Sequence, residues 1–337
     1  MVTVDGARGE GGGQVLRTSL TLSLSTGQPL RIVRIRARRR RPGLMRQHLT
    51  AVRAAAAISR AQLEGAALGA TELTFEPGQV QPGEYAFDVG SAGSACLVLQ
   101  TILLPLLTAG GRSRLRLEGG THNPLAPPFD FIDKAYLPPL RRMGARVEAV
   151  LERPGFFPAG GGRIAVRIEP TARLEPIELV EAGPILGCTA RAVVANLPRH
   201  IAERELSLVR EQLGWPAAAC RIETASALGA GNMLALEIAR EALTEVVCAF
   251  GRRGVPAERV AAEAVAEVRR YLDANAPVGP HLADQLLLPL ALAGGGAFRT
   301  CEWTDHARTN AEVIRRFLPF DLRRESAEKS VLVRLSA

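Results

Sequence analysis

Lysine is almost missing from this chain: of its 42 basic residues only Lys134 and Lys329 are lysines. Nucleic-acid ligases of the Lys-x-Asp-Gly type need a lysine nucleophile, and neither lysine sits in such a motif, so that covalent chemistry is excluded. No Gly-Lys-Ser/Thr follows the glycine-rich turn near the N-terminus, and its glycines are not spaced G-x-G-x-x-G. The P-loop and the dinucleotide fingerprint are therefore both absent. The five cysteines (96, 188, 220, 248 and 301) are odd in number, scattered and without a CxxC pair. They read as reduced core residues of a cytoplasmic protein, not as a disulfide framework or zinc ligands. No signal peptide opens the sequence, and the apolar run Cys96 to Leu107 is too short to cross a membrane. The expectation is a soluble, intracellular protein with no membrane partner.

What is present points to anions. The chain has 337 residues and a formal charge of +8, which favours polyanionic partners, although an arginine bias can also reflect genome composition. The length suits two domains, or one large domain with an insertion. The strand-like start Val2–Val4 feeds the turn Asp5 to Gln14, rich in glycine, and then the apolar segment Val15 to Leu24. Such a turn aims backbone N–H groups from the positive end of a helix at an anion. Glu10 and Arg17 flank the glycines, and a carboxylate beside a phosphate cradle calls for a divalent metal between them. The competing reading is a tight turn that lets a helix pack closely on a sheet.

A pattern recurs three times. Turns rich in Gly or Ser lead into leucine-rich helices at residues 9–24, 90–107 and 279–293. Short strands at 30–37, 113–117 and 297–301 follow, then second helices at 44–59, 129–143 and 308–317, then further strands. The fold class read from this is α+β, α/β-like in its repeated βα units, with the three units sharing one core. Residues 1–178 and 277–337 form the large domain, and 179–276 interrupt it as a small inserted α/β domain. Within the insert, 257–272 has an apolar stripe of Val260, Ala264, Val265, Val268 and Leu272.

Several residues could carry chemistry. Seven arginines occupy the eleven positions from Arg31 to Arg41, and their alternation with Val33, Ile35 and Ala37 predicts a strand with one arginine face. Arginine forks suit RNA or ATP phosphates; charge that protects an edge strand is the alternative. Arg46, Gln47 and His48 fall in the first turns of the next helix, and His48 reads as either a structural histidine or a supporting one. The equivalent junctions of the other units are Thr121-His-Asn-Pro124 and Trp303 to Asn310, so all three should line one side of the assembly. His306 there would start a helix, where the dipole disfavours imidazolium; it is a candidate nucleophile or an ordinary surface histidine. Asp284 opens the third long helix, as an N-cap or as a contact to a metal, a nucleotide or the His306 imidazole.

Taken together, residues 5–24, 36–52, 90–100, 119–131, 153–162, 198–205, 281–294 and 304–319 resemble the RNA 3'-terminal phosphate cyclase family across almost the whole chain. Because His306 is present, the chain looks like the catalytic branch and not the ribosome-biogenesis branch. The resemblance implies units similar to the C-terminal domain of bacterial translation initiation factor three, and a thioredoxin-like insert without redox cysteines. It implies ATP-dependent conversion of an RNA 3'-phosphate to a 2',3'-cyclic phosphodiester, through a histidine–AMP on His306 and then an RNA-adenylate. It further implies Glu10 as ligand of a divalent metal (Mg or Mn), and Arg17, Arg36, Arg39, Gln47 and His48 on phosphates of ATP or RNA. Gln100, Pro127 and Phe131 would border the adenine, with His281, Asp284 and Gln285 on the nucleotide. Family members often have tyrosine at the position of His281, where an imidazole can still stack on a base. The partners implied are ATP and RNA with a 3'-phosphate end, and a homodimer is left open. A non-catalytic RNA-binding or ribosome-assembly protein on the same fold is the runner-up, and carboxyvinyl transfer on a related architecture is a third class.

Overall fold

The computed structural model describes residues 1–337 and is a mixed α+β molecule with four four-stranded sheets. Three sheets have one pattern. In the first, Val2–Asp5 lies parallel to Leu30–Val33, which is antiparallel to Leu73–Glu76, which is antiparallel to Gln62–Glu64. The second repeats this with Glu84–Asp88, Ser113–Gly119, Gly162–Glu169 and Arg146–Arg153. The third uses Glu178–Leu179, Gly295–Thr300, Val331–Ser336 and Asp321–Ser326. Each parallel pair needs a crossover, and a helix supplies it.

Those helices are leucine-rich because they are buried nearly all round. Helix α1 (Gly13–Thr26) ends where Gly27 takes φ of 68°, and it packs against α2 (Arg46–Ser59) and α3 (Ala95–Leu107). Ser94 caps α3 by accepting from Leu97 N–H at 3.3 Å. The segment after the second junction is α4 (Phe129–Phe131), a π-helical turn (Ile132–Tyr136) and α5 (Leu137–Arg142). Further on, α6 (His200–Leu213) and α7 (Ala257–Ala274) precede α8 (Pro280–Leu292) and α9 (Asp305–Ile314). Helix α9 packs against both α1 and α8, and side chains from all three sheets join one apolar core with α1, α3 and α8.

The fourth sheet, Ile185–Ala195, Cys220–Thr224, Gly231–Arg240 and Thr244–Phe250, has α6 and α7 on one face over an apolar core of its own. Its last strand rests on α4 and the π-helical turn. In α7 the stripe is as patterned except at its end, where Tyr271 is buried and Leu272 is half-buried.

Two local expectations fail. The strand after α1 stops at Val33, because Arg34 and Arg36 adopt φ of 54° and 52°. Left-handed residues cannot continue a strand, so the basic run is a folded loop without an arginine face. Asp284 is not an N-cap: Gly279 caps α8 and Pro280 starts it, leaving Asp284 a full turn inside.

Candidate active site

The glycine turn sets the geometry. Gly9 (φ 57°) lies where a Cβ would meet Thr309 Oγ1 at 2.1 Å, so α9 sits directly on the turn. Thr309 Oγ1 also accepts from Glu10 N–H at 3.0 Å. A Cβ on Gly13 would come within 2.5 Å of His48 Nε2 and 2.7 Å of Arg17 Nη1, so both side chains crowd onto the start of α1.

The Glu10 side chain is almost wholly buried; one oxygen pairs with Arg39, and the other, Oε1, is buried without a partner. Arg39 also donates to the Glu10 carbonyl at 2.8 Å. The Arg17 guanidinium is buried within reach of the Glu10 and Asp284 charges; burial lowers it to about 10, so it stays cationic near neutral pH. His48 is buried and pushed down to about 3, first by burial and then by Arg17 and Arg36. Its Nδ1 accepts from Met45 N–H at 3.1 Å, so the neutral ring presents Nε2–H toward the turn.

Other candidates are engaged in bracing the walls. Arg36 donates to the carbonyls of Arg41 (2.7 Å) and Gly43 (2.9 Å), holding the basic loop closed. Gln47 accepts from Ser94 N–H at 3.0 Å, and Arg46 donates to the Gly90 carbonyl at 2.9 Å, tying the first junction to the second glycine turn. Asn123 of the second junction donates to the Ala92 carbonyl at 2.5 Å. Gln100 of α3 meets Gln285 of α8 side chain to side chain.

His306 is exposed in the first turn of α9, which Thr304 caps by accepting from Ala307 N–H at 3.1 Å. Its Nδ1 lies 2.9 Å from Gln14 Oε1, 292 positions away in sequence. Gln14 in turn donates from Nε2 to Asp284 Oδ2 at 2.6 Å. Asp284 is buried and its carboxyl is raised to about 6, chiefly by burial. Sequence reasoning passed over Gln14. The available signal was its position three residues before Arg17, which puts both on one helix face.

His281 is exposed and ion-paired with Glu267 of α7 at 3.3 Å, which raises it to about 9. At neutral pH it is an imidazolium. Phe131, on α4, is buried in the main core.

Two arginines, a neutral buried histidine, a half-satisfied carboxylate and an exposed imidazole thus meet at one helix N-terminus. Donors of this kind at a helix N-terminus can hold phosphate oxygens. The family model described as RNA 3'-terminal phosphate cyclase matches residues 8–323, and the chain belongs to that family. A protein named RNA 3'-terminal phosphate cyclase from Koribacter versatilis is 51% identical over 337 residues, covering 100% of this chain and 95% of its own. One of the same name from Pseudomonas fluorescens is 52% identical, covering 98% and 96%, and one from Salmonella typhimurium is 48% identical, covering 100% and 99%. A solved enolpyruvyl transferase from Streptomyces tendae aligns with 99% of this chain and 48% of its own at 12% identity and a TM-score of 0.38.

Proposed function

We propose that this protein is an ATP-dependent RNA 3'-terminal phosphate cyclase with His306 as its nucleophile. The observation that carries the reading is the position of His306: an exposed imidazole at the head of α9, beside the glycine turn and its Arg17–Glu10–Arg39 group. In the first step His306 Nε2 attacks the ATP α-phosphorus. An N–P bond forms, the bond to the bridging oxygen breaks, and pyrophosphate leaves with its electron pair. In the second, an oxygen of the RNA 3'-phosphate attacks the same phosphorus and the N–P bond breaks, which returns the imidazole. In the third, the neighbouring 2'-OH attacks the activated 3'-phosphorus. AMP departs, the hydroxyl proton passes to solvent, and the cyclic ester remains. This last step needs little beyond proximity.

Arg17 and Arg39 would offset charge on the phosphates, and His48 Nε2–H would donate to one of their oxygens. Glu10 suits a divalent cation, because its Oε1 is buried and unpaired. No three acidic, histidine or cysteine side chains gather as a protein-only cage, so the other ligands would be phosphate oxygens and water. A bound magnesium or manganese ion would withdraw charge from the leaving pyrophosphate. The three like sheets read as three copies of one unit, as in the C-terminal domain of translation initiation factor three. Residues 179–276 read as the insert between them.

The test is incubation with α-labelled ATP, a divalent metal and a 3'-phosphorylated oligonucleotide. An acid-labile protein label that is absent in His306→Ala, and that is discharged as a cyclic end appears, is the expected result. A label that persists in His306→Ala would remove His306 from its role, and no label at all would favour a non-catalytic RNA-binding protein.

A further inference from the structure

Gln14 stands between two side chains and has no freedom in how it faces them. A carboxamide accepts through its oxygen and donates through its nitrogen. The Asp284 carboxylate only accepts, so it takes the nitrogen end of Gln14, at 2.6 Å. The oxygen end is thereby turned to His306 Nδ1, 2.9 Å away, and it can accept only if Nδ1 carries the proton. A neutral imidazole protonated on Nδ1 has its lone pair on Nε2.

The frame holding this contact is rigid. The Asp284 carbonyl accepts from Asn310 Nδ2 at 2.6 Å, and Asn310 Oδ1 accepts from Thr18 Oγ1 at 2.8 Å. Asn310 lies one turn after His306 on α9, and Thr18 one turn after Gln14 on α1. Helices α1, α8 and α9 are therefore pinned together at two successive levels, and all the groups of the lower level are buried.

We propose that Gln14 is a positioning residue that sets the tautomer of His306, and that Asp284 sets the direction of the Gln14 amide, so that Nε2 is the atom offered for attack. The proposal rests on His306 as nucleophile for its catalytic meaning, while the tautomer itself can be measured without ATP. In water a neutral imidazole favours the proton on Nε2, the atom that must be bare to form the N–P bond. Gln14 reverses that preference. When Nε2 attacks phosphorus, Nδ1 keeps its proton and the ring becomes cationic, and Gln14 Oε1 remains as acceptor for that proton.

The test uses the full chain labelled with ¹⁵N-histidine. Two-bond proton–nitrogen correlation separates protonated from bare ring nitrogens, and His306→Ala assigns the signal among the five histidines. His306 is expected to carry its proton on Nδ1. In Gln14→Met it is expected to move to Nε2, and in Asp284→Asn, where the amide can turn over, to a mixture. Unchanged signals from His48, His122, His200 and His281 show that the fold is kept. At saturating ATP the single-turnover rate of protein labelling should fall on the order of 10- to 100-fold in Gln14→Met, as for other groups that orient a histidine from behind. The ATP concentration giving half the maximal rate should stay the same. A wild-type His306 with its proton on Nε2, or a Gln14→Met variant with the tautomer unmoved, overturns the proposal. A wild-type Nδ1–H tautomer without any protein–AMP would support the tautomer control and remove the nucleophile reading instead.

Discussion

Gly13 has no room for a side chain, and that makes it a sharp probe of the site. Gly13→Ala would place a methyl group 2.5 Å from His48 Nε2 and 2.7 Å from Arg17 Nη1. One of the two must move, at a cost of about 1–3 kcal/mol. The expected outcome is a lower melting temperature together with a loss of labelling from α-labelled ATP of at least about tenfold, read in a single-turnover assay. Glu10→Gln adds a cation dependence to the comparison. It weakens the pair with Arg39 and the charge that supports buried Arg17, so the melting temperature should fall, while labelling falls about 100-fold and needs more divalent cation. At this scale Glu10, Arg17 and His306, which the structure brings to one helix N-terminus, could be singled out in the sequence because each has distinctive chemistry near a helix start. Gln14 could not, since an amide has no charge to flag it and its partners lie 270 and 292 positions away. Of the two readings of Asp284, the cap fails because Gly279-Pro280 starts its helix four residues earlier.

Among the elements, helices and core strands were readable because each has a clear apolar period, whereas the arginine loop was not. Ile35 alternates with arginines as a strand residue would, yet it is buried as an anchor, with its N–H donating to the Thr71 carbonyl at 2.8 Å. Backbone turns at Arg34 and Arg36 leave no trace in hydrophobic periodicity. One contact between elements invites a test. Arg191, on the strand Ile185–Ala195, pairs with Asp130 of α4 and, at 2.9 Å, with Glu223. Asp130 also takes Nε2–H of His122 at 3.2 Å, and His122 is held neutral, lowered to about 4 by burial and then by Arg191. Arg191→Met would leave a buried carboxylate with a single neutral donor, costing about 3–5 kcal/mol. Arg191→Met combined with Asp130→Asn should recover part of that loss. A double-mutant cycle by urea unfolding should give a coupling of about 0.5–3 kcal/mol, and additivity would mean that the pair does not hold the fourth sheet to α4.

For the molecule as a whole, buried titratable groups predict how stability varies with pH. Burial raises Glu205 to about 7 and Glu245 to about 8, from an ordinary value of 4.5. The fold keeps their protons longer than the unfolded chain does, so their contribution is full below about 4.5 and is lost as pH rises through 7 and 8. His48 and His122, lowered to about 3 and 4, act oppositely: their contribution is full above 6.5 and is lost as pH falls through 4 and 3. His281, raised to about 9 by Glu267, adds a further loss between 6.5 and 9. Melting temperature by calorimetry should therefore be highest between about pH 4.5 and 6.5 and should decline toward pH 9, and a rise from pH 6.5 to 9 would contradict these assignments. The recurrence of helix and strand patterns, and the expectation that the three junctions share one side, were visible from sequence; the contacts that join the first and third segments were not, because packing between distant segments has no local signature. That meeting has a consequence in time. The ribosome makes Gln14 292 residues before His306, an interval of about 15–60 s at ordinary translation rates. The third sheet cannot close until residues 295–300 join Glu178–Leu179, which waited through the whole fourth sheet. A nascent chain thus displays its glycine turn and arginine loop long before the imidazole arrives, and that site is completed only after the whole fourth sheet has been made.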